Sequence, residues 1–417
     1  MTNARVESVL PGRAMLLAVA AALLAFSAWT SLSIGVSDFL AASGSARAVS
    51  WNPANASARL QVEEAMAREH GVAADKLESI RTAIRGAPLD GRGYRLLARH
   101  AEQVGNRRKA AELYALAVQR GPRDLPSLAW LMDYEMSIGD YAAALTRIDR
   151  MLRIEPELAM KLESTLAAMA LDARAQPEVA RLLERQPPWR TLFLSKLLAR
   201  SPEPQSLFSL VERLRSGPSG LAAEELAAWL DRLIRSHEWG TAYLTWVESL
   251  PPEASQRVGN VYDGDFSREP TDTGFDWRFD PIKGAIISRS EADAGAQNYA
   301  LRVEFDGSRV PFRNVRQLLA LAPGNYQLRF RARMENLRAE RGLVWTLGCA
   351  EGGRPFGETE PLSGRTGWRQ YVMDFEVPAT NCGGQWLVLR IPARIAAEQR
   401  ASGTAWFDDL AIRASRR

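Results

Sequence analysis

The rhythm of apolar and polar positions changes twice along the chain after an uncharged start. From Ala14 to Ser37, 24 residues carry no charge, enough for one helix to cross a bilayer's hydrocarbon core. Residues 38–57 follow, with Ala41-Ala42-Ser43-Gly44-Ser45 and Trp51-Asn52-Pro53-Ala54-Asn55; this composition predicts a linker. Apolar residues then recur at helical spacing to about residue 250, from Leu60, Met66, Leu77 and Ile80 to Trp239, Tyr243, Leu244, Trp246 and Val247. Pro251-Pro252-Glu253 ends that pattern, and strict alternation replaces it. Leu301, Val303 and Phe305 oppose Arg302, Glu304 and Asp306, and Leu387, Leu389 and Ile391 oppose Trp386, Val388 and Arg390. Residues 326–333 and 371–377 alternate in the same way. Roughly eight strands with one apolar face each predict an antiparallel sandwich over residues 257–417.

Within the helical region, Pro88, Pro122 and Pro156 recur at a fixed interval of 34 residues. After Pro88 come Tyr94, Leu97, Ala98, Gly105, Ala110, Tyr114 and Ala117; the same offsets after Pro122 hold Leu128, Leu131, Met132, Gly139, Ala144, Ile148 and Met151. Glycines 105 and 139 fall where a helix end needs a left-handed residue. The period and the alternation of small and large positions resemble tetratricopeptide repeats, with two clear units at about 91–124 and 125–158. Beyond them Gln176-Pro177 and Gln186-Pro187-Pro188-Trp189 break the frame. Helical signals continue to residue 250, so a degenerate solenoid over 58–250 is expected, because two repeats alone bury too little core. The resemblance implies a surface that holds a protein partner.

The last third opens with Asn260-Val261-Tyr262-Asp263-Gly264-Asp265-Phe266 and closes with Thr404-Ala405-Trp406-Phe407-Asp408-Asp409-Leu410-Ala411-Ile412. Between lie Leu321-Ala322-Pro323-Gly324-Asn325-Tyr326 and Gly367-Trp368-Arg369-Gln370-Tyr371. In this order the segments resemble a carbohydrate-binding module of the galactose-binding-like jelly-roll type. That resemblance implies glycan binding and, in many members, a structural calcium held partly by an opening Glu. Ser267 stands at that position here. Asp408 or Asp409 could still offer hard oxygen ligands, but a strand cap and a solvated acid are the preferred account of the pair, and no cofactor is expected.

The fold class that follows is multi-domain: an N-terminal transmembrane helix, an all-α TPR-like solenoid and an all-β jelly roll. Arg5 and Arg13 precede the apolar span and Asp38 follows it, which favours a cytoplasmic segment 1–13 and a single-pass protein of a bacterial inner membrane with its bulk in the periplasm. A cleaved signal peptide is the alternative, with Ala46-Arg47-Ala48 as a cleavage site; the apolar stretch is longer than such peptides use. The net charge of +4 rests almost wholly on arginine, and no block of five like charges occurs, so a nucleic-acid arm is not expected. Cys349 and Cys382, the two cysteines of the chain, predict a disulfide outside the cytoplasm.

Sugars are held by aromatic faces flanked by polar side chains. Trp386 lies on the polar side of its strand beside Arg390, and is the first candidate for glycan contact. Arg331, Arg333 and Glu376 line polar faces of other strands and would join it if all shared one sheet; Trp277 is a loop candidate. Each also has an ordinary explanation, since arginine stripes are often solvated faces and Trp is often partly buried. The histidines, His70, His100 and His237, are far apart, and no phosphate loop, HExxH or Gly-x-Ser-x-Gly motif occurs; no catalysis is expected. The whole resembles accessory proteins of exopolysaccharide or capsule production, with a pure protein–protein scaffold as the alternative.

Overall fold

The computed structural model describes residues 11–201, 204–292 and 298–415. Residues 1–10, with Arg5 and most of the segment expected to be cytoplasmic, lie outside the described residues. The chain divides into two compact units, Met1–Trp189 and Arg190–Arg417.

The first unit begins with a helix, Pro11–Ala42, whose stretch Met15–Ala42 is long and apolar enough to cross a membrane. Leu24, Phe26 and Trp29 on it are exposed. Residues 38–57 are not a linker. The helix runs on to Ala42, a short helix Arg47–Trp51 folds back, and Asn55 caps the helix Ala56–His70 by accepting from the Ala58 N–H. Alanines allow the close approach: Ala41, Ala48 and Ala58 are buried together with Val62. Ser37 Oγ donates to the Ala48 carbonyl at 3.0 Å, and Asn55 Nδ2 to Asp38 at 2.8 Å. The apolar helix is therefore fixed to the helices that follow it.

Helices Gly91–Gln103 and Arg107–Arg120 are followed by Leu125–Ser137 and Tyr141–Ile154, each displaced by 34 residues. The same local chemistry starts each one. Asp90, Asn106, Asp124 and Asp140 cap their helices through side-chain oxygens, which satisfies N–H groups that have no helical partner. Gly105 and Gly139 reverse the chain at φ of +80° and +78°. Ala98, Ala110, Ala117 and Ala144 are fully buried where the helices cross. The repeat ends with Ala159–Leu171 and Gln176–Glu184, and the first unit closes at the Gln186-Pro187-Pro188-Trp189 break.

The second unit joins the helices Arg190–Arg200, Phe208–Ser216, Ala223–Arg235 and Trp239–Ser249 and the single turn Pro252–Ser255 to the sandwich. Its division from the first unit falls at Trp189/Arg190, not at the change of pattern near Pro251. Arg190 and Glu225, both buried, pair at 2.7 Å and tie the first of these helices to the third.

Among the described residues the sandwich has ten strands: β1 Trp277–Phe279, β2 Ala285–Glu291, β3 Tyr299–Arg309, β4 Val315–Leu319, β5 Gly324–Ala339, β6 Val344–Cys349, β7 Gly357–Glu358, β8 Gly364–Val377, β9 Gln385–Arg390 and β10 Arg400–Ala414. They form two five-stranded sheets, β1-β4-β9-β6-β7 and β2-β3-β10-β5-β8, and every strand pairing is antiparallel. Alternation places Leu387 and Leu389 of the first sheet and Phe330, Ala405 and Phe407 of the second in one shared core. The opening segment is held against the last strand by Asn260 Nδ2, which donates to the Ile412 carbonyl at 3.0 Å.

Helix Trp239–Ser249 packs on the first sheet. Trp246 meets Tyr262 edge-on at 5.0 Å, and Tyr243 meets Phe275 edge-on at 5.1 Å. The Trp239 ring lies on Gly383-Gly384, where a Cβ at either glycine would fall within 2.6 Å of the indole. Its Nε1 donates to Glu351 at 2.8 Å, and the Gly383 N–H donates to the same carboxylate oxygen at 3.1 Å.

The Cys349–Cys382 disulfide joins the two loops that carry Glu351 and Gly383. With its cysteines 33 positions apart in sequence, its loss is expected to cost roughly 3–4 kcal/mol through the freed unfolded chain. Thermal unfolding with and without reductant reads this directly; an unchanged midpoint would show the bond to be dispensable.

Candidate functional site

The outward positions of β9 are Trp386, Val388 and Arg390, because Gln385, Leu387 and Leu389 point into the core. Register sets their neighbours. Val388 faces Arg316 on β4 and Thr346 on β6, and Trp386 faces Leu318 on β4 and Gly348 on β6. Arg316 in turn pairs with Arg278 on β1. Three strands thus bring Trp386 and the arginines 278, 316 and 390 onto one face.

The guanidinium of Arg316 lies over the Trp386 ring, 5.0 Å from its centroid, and that of Arg278 at 5.5 Å. Such contacts contribute about 0.5–2 kcal/mol each. Asp280 pairs with Arg316 at 3.1 Å, and Asp231 with Arg278 at 3.3 Å. Arg390 makes no side-chain hydrogen bond or ion pair among the described residues. The Nε atoms of Arg278, Arg316 and Arg390 are all shielded from solvent and have no hydrogen-bond partner. Beside Trp386 an open groove of about 830 Å³ is lined by Arg313, Asn314, Arg316, Arg390, Asp280 and Phe312, among others.

Trp386 and Arg390 are therefore brought together. Arg331, Arg333 and Glu376 are not part of this surface. They lie on β5 and β8 of the other sheet, whose outer face points the opposite way. There Arg331 stacks on Trp368 at 5.1 Å and pairs with Asp409 at 3.3 Å. Arg333 stacks on its cross-strand neighbour Trp406 at 4.4 Å and pairs with Glu335 at 2.8 Å. That arginine stripe satisfies itself, and Glu376 is exposed.

Trp277 is not a loop residue. It opens β1, is fully buried, and packs against Phe266 at 5.1 Å and Trp345 at 5.8 Å. Its Nε1 donates to the Asp263 carbonyl at 3.1 Å. Asp263 is itself buried; Ser267 Oγ and the Arg268 N–H donate to its carboxylate, yet burial pushes its pKa up to about 6.

Neighbouring acids in a regular strand point to opposite faces, but the register of β10 shifts between Asp408 and Ala411, and Asp409 has φ of +53°. Both carboxylates consequently approach Arg331, at 3.9 and 3.3 Å. Asp408 is fully buried and accepts from Asn298 Nδ2 and from the Asp409 N–H; burial raises its pKa. A guanidinium at this pair occupies the place a cation would need. Among the described residues no group of three or more His, Cys, Asp or Glu side chains is arranged to hold a metal.

Arg278, Arg316, Arg313 and Asp280 were not singled out from the sequence. A signal for two of them exists: Trp277-Arg278-Phe279 and Val315-Arg316-Gln317 each set one arginine between inward-facing residues. Their meeting at Trp386 depends on the strand order β1-β4-β9, which no local pattern encodes.

No protein-family model matches the chain. Over 154 residues it is 25% identical to a protein of Komagataeibacter xylinus named cellulose synthase 2 operon protein C. The match covers 35% of this chain and 12% of that protein, so the chain spans a small part of its relative's length. Among solved structures it is similar to a CBM4 module (TM-score 0.29, 13% identity, 37% of this chain and 99% of that one). It is also similar to the CBM22-1 xylan-binding domain of Paenibacillus barcinonensis Xyn10C (0.26, 12%, 37% and 93%) and to TmCBM61 in complex with β-1,4-galactotriose (0.25, 17%, 38% and 100%). These likenesses are of fold alone.

Proposed function

We propose that this is a non-catalytic, membrane-anchored envelope protein whose sandwich binds a glycan in the Trp386 groove, as an accessory to exopolysaccharide production. The single observation that carries the reading is Trp386 itself: a half-buried indole on the outward face of a sheet, beside a groove wide enough for several sugar rings and rimmed by hydrogen-bonding side chains. The weak similarity to a cellulose synthase operon protein agrees with a place in polysaccharide assembly. An apolar helix near the N-terminus and a disulfide in the sandwich suit an inner-membrane protein with its bulk in the periplasm. The two displaced helical hairpins are TPR-like in period, capping and small-residue positions. Their half-buried Trp130 and Tyr134, stacked at 5.4 Å and backed by the buried Tyr114 at 4.5 Å from Trp130, offer a docking surface for a protein segment.

Affinity electrophoresis or calorimetry of the full chain in detergent against a polysaccharide panel tests this. Trp386→Ala is expected to weaken binding at least about 30-fold, as loss of an aromatic anchor worth roughly 2 kcal/mol would, without a matching fall in melting temperature. No binding to any polysaccharide, with Trp386→Ala silent, would leave the protein–protein scaffold as the reading.

A further inference from the structure

We infer that the groove takes an anionic glycan, one carrying carboxylates such as those of uronic acid residues, in preference to a neutral one. The inference rests on the glycan-binding reading above and names its ligand class.

The hydrogen-bonding capacity of the groove is lopsided. A neutral sugar hydroxyl both donates and accepts, so a site that satisfies it supplies acceptors as well as donors. The acceptors are fewer and partly used, with the Gln399 amide oxygen and one oxygen of Asp280 left over. Asp280 is tied to Arg316, and Asn314 donates from Nδ2 to the Asp280 carbonyl while its Oδ1 accepts from the Arg313 N–H. The donors are in surplus. Arg313 and Arg390 have no side-chain partner among the described residues, and three arginines bring a shielded, unpartnered Nε to this face. Those Nε atoms are closed to water and to a ligand oxygen of the same size, so what the groove offers an anion is the terminal nitrogens of Arg313 and Arg390.

Charge points the same way. Arginines 278, 313, 316 and 390 face only Asp280 and Asp231, so the surface is net positive. Trp386 also differs from an open stacking platform. Two guanidiniums already lie against its ring at 5.0 and 5.5 Å. The indole thereby holds two planar forks in place, and a fixed guanidinium fork matches a carboxylate in bidentate fashion.

The test uses the full chain in detergent with three uronate polymers of different backbone (alginate, polygalacturonate and glucuronoxylan), each before and after chemical reduction of its carboxyls. The native polymers should bind at least tenfold more tightly than their reduced forms, and the preference should shrink between low and high salt. Arg390→Gln should weaken binding to a native polymer roughly 10- to 100-fold, the range for losing a hydrogen bond to a charged group, with Arg390→Lys recovering part of it. Melting temperature should not move, since Arg390 has no partner to lose. Arg331→Gln, on the opposite sheet, should leave affinity unchanged. Equal binding of native and reduced polymers would overturn the anionic preference and keep the glycan reading. Binding that Arg331→Gln weakens as much as Arg390→Gln, or that a sulfated polymer matches with no effect of Arg390→Gln, would overturn it as general charge attraction. Binding to neither form of any polymer, nor to neutral glucan or xylan, would remove both readings together.

Discussion

Residues 257–417 produced without the preceding helices are expected to be much less stable than residues 190–417, and to unfold or aggregate under conditions where the longer piece stays folded. The reason is what the helix Trp239–Ser249 covers. Tyr262, Phe275 and Leu318 are buried, and their cover includes Tyr243 and Trp246. Uncovering part of three large apolar side chains costs on the order of 5 kcal/mol. A domain's whole stability is about 5–15 kcal/mol, so the shorter piece would lose at least about a third of it. Trp239→Ala in the full chain should show the same dependence at smaller scale. It removes the ring that fills the space over Gly383-Gly384 and leaves Glu351 without its indole donor, a loss of about 2 kcal/mol, less than for a fully buried Trp→Ala change because Trp239 is only half-buried. Gly384→Val approaches the same contact from the other side, since its side chain would enter the indole. Comparison of the two pieces by denaturant unfolding decides the matter: equal midpoints for 257–417 and 190–417 would mean the helices merely rest on the sandwich.

Local physics made much of this molecule legible in its sequence. Period-two alternation across residues 385–390 is enough to turn Trp386 away from Leu387 and Leu389, because a strand has no other way to bury them. The repeat at residues 91–154 was legible because its signals are local too: a glycine with positive φ at each turn and, at each helix start, an Asp or Asn cap. The failures share the opposite cause. Residues 38–57 carry the breakers Gly44 and Pro53, and nothing local shows that Ala41, Ala48 and Ala58 would let helices close over them. Trp277 sits between Gly274 and Pro281 and reads as a loop until β4 pairs with it. Arg331 and Arg390 alternate alike in their strands, yet strand order sends them to opposite sheets. Pro251-Pro252 marks a change of secondary structure, while the boundary between compact units lies 62 residues earlier at Trp189/Arg190, because Tyr243 and Trp246 bury themselves against the sandwich.

These placements separate two uses of tryptophan in one sandwich, and the second large effect follows from the separation. Trp277→Ala is expected to destabilise the second unit by about 3–5 kcal/mol, the range for emptying a buried Trp site, and to lower the midpoint by roughly 10 °C or more for a unit of this size. Three losses combine. The ring's contacts with Phe266 and Trp345 disappear; the Asp263 carbonyl loses its indole donor; and the space left lies between two sheets whose strands on either side are fixed by their own pairing, so it cannot collapse. Trp277→Phe should recover part of the packing and none of the hydrogen bond. Neither variant should alter the affinity of the molecules that remain folded, because the side chain points into the core and away from the groove. Trp386→Ala should behave in reverse, with affinity lost and a smaller fall in stability, about 1–2 kcal/mol, from the two guanidinium contacts on its ring. Melting curves and binding isotherms on the same two preparations make the comparison. Lost affinity in fully folded Trp277→Ala, or a midpoint within about 2 °C of the parent, a shift of under 1 kcal/mol, would place Trp277 in the binding surface and not in the core.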